Sequence, residues 1–114
     1  MTNNDTLDPV FHALADPTRR AVVRRLTDGP GTVSELAEPF DMALPTFLQH
    51  LKVLEKARLI RTVKQGRTRM CSLEAARLGL AEDWLAGRRA EWEAKADRFE
   101  AYVMELAKRR QKDV

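Results

Sequence analysis

Apolar residues return along this chain at changing periods, and the changes divide it into elements. From Asp41 to Leu59, Leu44, Phe47, Leu51 and Leu54 recur at spacings of three and four. Such spacings come back to one side of a helix that turns every 3.6 residues. The pattern predicts a helix over about 44–57, with Thr46, Gln49, Lys52, Val53 and Lys56 on the face opposite the apolar one. The next stretch, LIRTVKQGRTRMCSL at 59–73, reads as two short strands around Gln65, Gly66 and Arg67. Glycine there supplies the positive φ of a tight hairpin turn.

Upstream, Asp8-Pro9 and Asp16-Pro17 mark two helix starts. Aspartate caps free amides at an N-terminus, and proline fits the first helical position, where no donor is required. The first helix is expected to run through Phe11 and Leu14, and the second over Ala21, Val22, Arg25 and Leu26 to a stop at Gly29. Thr32 to Glu35, TVSE, is a capping box that starts a short helix over Val33, Leu36, Ala37 and Phe40, ending near Asp41. Only three or four residues then precede the helix at 44–57. Two short helices joined so tightly cross steeply, the helix-turn-helix arrangement, in which the second helix enters the duplex and the first braces it. Residues 1–7 are polar and aperiodic and are expected to form a disordered tail, leaving 8–114 as one domain.

Past a short segment at Glu74–Gly79, the chain from Leu80 to about Arg110 is expected to be one long helix, interrupted only mildly by Gly87. Leu85, Trp92, Phe99 and Leu106 lie seven apart, with Ala96 and Val103 at the complementary heptad positions. A helix of that length spans about 45 Å, more than a small core covers. A second copy of the chain is the simplest partner, through a two-fold interface of Phe11, Leu85, Trp92, Phe99, Val103 and Leu106. An aromatic-lined ligand pocket between subunits is the other use for such a stripe.

Charge sharpens the reading of the middle of the chain. Residues 44–73 hold seven Lys or Arg against Glu55 alone, a net of +6, while the remainder nets −3, so the overall +3 hides a strong polarity. A cationic, nearly acid-free face suits a polyanion, and double-stranded DNA is the expected partner. Thr46, Gln49 and His50 are the candidates for base edges, with Gln49 best matched to the donor and acceptor pair of adenine. Lys52, Lys56 and Arg61 are assigned to the phosphate backbone, and Lys64, Arg67 and Arg69 to flanking phosphates or the minor groove. His50 lies at the rim of the buried face and has the structural alternative of a hydrogen bond to a backbone group. Arg19, Arg20, Arg24 and Arg25 read either as a second basic patch or as residues solvated or paired with acids on a neighbouring helix.

The chemistry that is missing bounds the function. One cysteine, Cys71, and two histidines, His12 and His50, in separate elements provide no metal-site spacing, and no cofactor is expected. Strand alternation puts Cys71 beside Leu73 as a small core residue, with a redox switch the minor reading. No nucleophile stands beside a histidine base, which argues against an enzyme. The chain carries no apolar run of membrane-spanning length and no signal peptide at MTNNDTLDP, so a cytoplasmic protein with no membrane partner is expected.

The ordered set ALADPTRRAVVRRLTDG, TVSELAEPFDM, HLKVLEKARLI and the basic hairpin with QGR at its tip resembles the ArsR/SmtB family of winged helix-turn-helix repressors, over residues 8 to about 73. The resemblance implies a mainly α fold with a small β-hairpin, dimeric through a long C-terminal dimerisation helix at about 80–110. Its matching positions put the recognition helix at 44–57 and the wing at 59–73. It further implies a homodimeric bacterial repressor that binds a palindromic operator and is released by a signal. That signal stays open between an unknown small-molecule inducer, oxidation of Cys71, a partner protein and falling protein concentration.

Several departures qualify what is carried over. The family usually caps the recognition helix with Ser or Thr where this chain has Ala43, and often has Ser at Leu48. Leu48 could touch a thymine methyl or simply widen the core contact. The family commonly places Gly where Arg58 stands, and a left-handed conformation there would cost this chain on the order of 1 kcal/mol. The stretch SELAEPF lacks the Cys-x-Cys pair of metal-sensing members, and no His follows His50, so this looks like a member without the family's metal. Ala43 and Leu48 also favour an alternative, a winged-helix protein-interaction module that has lost specific DNA binding; the intact basic wing opposes it.

Overall fold

The computed structural model describes residues 4–112. Its elements follow in the order α1 (Asn4–Leu14), α2 (Pro17–Thr27), β1 (Gly31–Thr32), α3 (Val33–Ala37), α4 (Leu44–Lys56), β2 (Ile60–Gln65), β3 (Thr68–Leu73) and α5 (Ala75–Lys112). The mainly α architecture with a basic hairpin is the one expected, but the sheet has a third strand. Its order is β1-β3-β2, with Gly31 opposite Cys71 and Thr32 opposite Met70. Two residues are too few to show alternation, so β1 had no signature in the sequence. Gly31 is where side-chain size matters, because a Cβ there would meet the Arg25 guanidinium at 2.9 Å and Leu36 at 3.3 Å.

The expected tail is corrected in its second half, where α1 already begins at Asn4; residues 1–3 lie outside the described residues. Leu7, Val10 and Ala13, three apart, are buried, and burial of Leu7 draws the first turn into the helix. Pro9 therefore stands inside α1 rather than opening it. At α2 the Asp-Pro reading matches the structure: Asp16 is the N-cap, its Oδ2 accepting from the Arg19 amide at 3.0 Å, and Pro17 follows at the first helical position. The capping box also forms, with Thr32 Oγ1 accepting from the Glu35 amide at 3.1 Å. Its helix α3 ends at Ala37, short of Asp41, since Pro39 has no amide to continue it. Six residues, not three or four, separate α3 from α4.

The core draws side chains from all the helices and the sheet, with Leu7, Val10 and Ala13 of α1, Val22 and Leu26 of α2, Leu36 of α3, Phe47, Leu51 and Leu54 of α4, Ile60 and Cys71 of the sheet, and Ala81 of α5. By its backbone contacts the chain divides into two units, one through Ala81 and one from Glu82. Helix α5 starts at Ala75, five residues earlier than the sequence suggested. Burial of Ala81 and packing of Leu78 against the core hold its first turns, against a cost of about 1 kcal/mol for the helical Gly79. In the second unit the helix carries ion pairs on its own surface, Arg88 with Glu91 at 2.6 Å and Arg89 with Glu93 at 3.1 Å. Its heptad residues are open to solvent, Trp92 at 69% and Phe99 at 68% of their full exposure.

Candidate nucleic-acid interface

Helix α4 is held at both ends by backbone devices. At its start Ala43 makes no side-chain cap, yet Pro45 removes one donor that a cap would have to satisfy. The Thr46 amide turns back to the Ala43 carbonyl at 3.1 Å, which satisfies another. At its end Arg58 takes φ 59°, the left-handed conformation in which a side chain is costly. The amide of Arg58 donates to Glu55 O at 3.0 Å and that of Leu59 to Leu54 O at 3.0 Å, the paired bonds of a Schellman closure. Leu59 and Leu54 are both fully buried, supplying the apolar contact of that closure and turning the chain directly into β2.

Phe47, Leu51 and Leu54 fix which side of α4 faces inward. Leu44 is not part of that face: it is 54% exposed, because Phe40 closes over Phe47 with ring centroids 5.5 Å apart and ends the core there. Val53, read as polar-side, is half-buried and packs against the core. The outward surface carries Pro45, Thr46, Leu48, Gln49, Lys52 and Lys56. Pro45, Leu48, Gln49 and Lys52 border a cleft whose far wall is Thr62 and Arg69 of the sheet. Lys56 lies on the other flank, beside Asp8, Pro9 and His12 of α1.

His50, one of the proposed base-edge residues, is held by protein groups instead. Its Nδ1 lies 3.1 Å from Arg19 Nη1 and 3.7 Å from Asp16 Oδ2, and its side chain is mostly covered. The geometry gives His50 a structural role, though through the side chains of Arg19 and Asp16 rather than the backbone group expected, pinning the middle of α4 to the start of α2. Arg19 completes the knot, donating from Nε to Ala13 O at 2.7 Å and from Nη2 to His12 O at 3.0 Å. Arg20 donates to Leu14 O at 2.8 Å, so two arginines satisfy carbonyls left open at the end of α1. The amide of Arg19, more than the nearby His50 and the Arg19 guanidinium, holds the Asp16 carboxyl below its ordinary pKa against the opposing effect of burial. Arg25 donates to Gly29 O and faces Glu35 at 3.8 Å. Three of the four arginines of α2 are thus employed inside the fold.

On the hairpin, register decides which cations meet. Gln65 opposite Thr68 closes a two-residue turn of Gly66, at φ 63°, and Arg67. The same register places Lys64 directly opposite Arg69. Like charges facing across a strand pair repel, and among the described residues neither has a carboxylate within ion-pair distance. Arg61 differs, since its Nε is 3.0 Å from Glu74 Oε1. Glu55, the one acid of the module, accepts from Thr62 Oγ1 at 2.9 Å and so braces α4 against β2. Beneath them Cys71 is wholly buried, and desolvation, more than Glu55, pushes its thiol pKa up. Among the described residues no helix is long and apolar enough to cross a membrane.

Comparison with known proteins agrees with this geometry. Residues 14–63 match a family described as "Helix-turn-helix domain". The chain is 46% identical over 67 residues to the HTH-type transcriptional regulator Rv2034 of Mycobacterium tuberculosis, an alignment covering 59% of this chain and 63% of that protein, a little under two thirds of its length. It is 32% identical over 79 residues to the transcriptional repressor SdpR of Bacillus subtilis, covering 69% of this chain and 88% of that protein. The crystal structure of an ArsR family transcriptional regulator superposes with a TM-score of 0.77 at 53% identity, over 81% of this chain and 95% of that one.

Proposed function

Because the chain belongs to the ArsR family of winged helix-turn-helix transcriptional regulators, we propose that it acts as a homodimeric repressor that binds a palindromic operator in the cytoplasm. Thr46 and Gln49 approach base edges from the outward face of α4, with Gln49 donating to and accepting from adenine. Lys52 and Lys56 hold the phosphate backbone on the two flanks of that helix. Lys64, Arg67 and Arg69 at the wing tip reach flanking phosphates or the minor groove. Arg61 contributes less than these, since its nearest partner is Glu74. The role is one of binding rather than catalysis, and it uses no cofactor.

The observation that carries this reading is the pairing of Lys64 with Arg69 across the hairpin beside an outward Gln49 and Lys52. A polyanion relieves that repulsion. Dimerisation rests on α5, whose heptad residues Leu85, Trp92, Phe99, Val103 and Leu106 are exposed in the single chain. Two recognition helices related by a two-fold then meet half-sites about 34 Å apart, one turn of the duplex.

Fluorescence anisotropy across a salt series tests the reading, using DNA from the region upstream of the coding sequence, a scrambled duplex, and a Gln49→Ala variant. Each phosphate neutralised adds about −0.9 to the slope of log affinity against log salt, so a steep slope is expected. The variant is expected to lose about 1–3 kcal/mol of preference for the upstream DNA. Absence of binding to either duplex at low salt would overturn the DNA reading.

A further inference from the structure

The outward side of α4 holds an apolar row that its position in the fold does not explain. Leu44 is 54% and Leu48 43% exposed, with Pro45 exposed between them. The spacing of four sets Leu48 in line with Leu44 on one side and Lys52 on the other. Leu48 lines the cleft with Pro45, Gln49 and Lys52, so its free surface lies among the polar groups that meet DNA in the proposed function. Core contact does not account for this position, because the inward face of α4 is already filled by Phe47, Leu51 and Leu54.

Resting on the DNA-binding reading above, we propose that Leu48 is a specificity residue that contacts the 5-methyl group of a thymine in the major groove, next to the base held by Gln49. The N-terminal half of a recognition helix is the part that reaches base edges. In that half of α4 the outward hydrogen-bonding side chains are Thr46 and Gln49, while Leu44, Pro45 and Leu48 are apolar. Among the groups on base edges in the major groove, the thymine methyl is the one that gains from an apolar contact. Leu48 and Gln49 border the same cleft, so a thymine contacted by the first is placed beside an adenine contacted by the second. The half-site is therefore read as successive A·T pairs, one through its methyl group and one through hydrogen bonds.

The test begins by selecting a binding sequence for the full-length protein from a random duplex library. Thymidine is then replaced by deoxyuridine, one position at a time, and affinities are measured for the wild type, Leu48→Ala and Leu48→Ser. Leu48 is exposed and alanine favours helix, so both variants should fold; circular dichroism checks this. At one position in each half-site, removal of the methyl is expected to weaken wild-type binding about fourfold, the worth of one buried methyl group. The same replacement should leave Leu48→Ala and Leu48→Ser unchanged. A deoxyuridine effect equal in wild type and variants, or none in the wild type, would overturn the role of Leu48 and leave the repressor reading standing. Failure of the wild type to enrich any sequence would instead overturn the repressor reading, and this proposal with it.

Discussion

The unit through Ala81 and the unit from Glu82 are written in residues of similar kind and meet opposite fates. In the first, most large apolar side chains are covered within the same chain, Phe47, Leu54, Leu59 and Ile60 among them, with Leu44, Leu48 and Val63 among the exceptions. In the second, Leu85, Trp92, Phe99, Tyr102 and Leu106 are exposed, and the polar pairs Arg88–Glu91 and Arg89–Glu93 are local to one helix. An apolar pattern thus specifies that a face must be covered without specifying by what. Where sheet and helices fold back on one another the chain covers itself; a lone helix has only its outer partners.

The strongest way to break that contrast is Phe47→Ala. Removing a fully buried ring that spans from α4 to Phe40 is expected to cost about 3–5 kcal/mol, measured by urea unfolding. A loss below about 1 kcal/mol would mean that the first unit does not depend on its own core. Next comes Trp92→Ala, which should leave the secondary structure of the chain intact and weaken self-association about thirtyfold, or about 2 kcal/mol, in sedimentation equilibrium. Unchanged association would show that something other than a second copy covers the α5 stripe. The smallest change sharpens the first unit from within: Arg58→Gly relieves the left-handed strain at φ 59° and should raise stability by up to about 1 kcal/mol in the same urea experiment. A decrease would mean that the Arg58 side chain supplies more than its backbone conformation costs.

Much of the fold that frames the candidate site was legible because its signals are local. The capping box at Thr32–Glu35, the Asp16 cap, the Gly66 turn and the 3–4 spacing of Phe47, Leu51 and Leu54 each concern residues within a turn or two of one another. Errors fell where a distant group decided the outcome. Leu44 fits the apolar period but lies beyond the point where Phe40 closes the core. Leu7 stands three residues before Val10 but among polar neighbours, and its place is decided by the core that it joins with residues of later helices. The third strand is invisible until β3 lies beside Gly31.

The sequence by itself determined the +6 module between residues 44 and 73 and the order of the elements apart from β1, because hydrophobic period, capping chemistry and charge are carried by neighbouring residues. Its ordered motifs carried the resemblance to the family. Only the tertiary structure decided that His50 serves the fold through Arg19, that Arg61 is engaged by Glu74, and that Lys64 confronts Arg69. Each of these is a meeting of side chains on different elements. Whether a polar group is free for a ligand depends on which partner lies within about 3 Å of it, and chain spacing does not encode that distance.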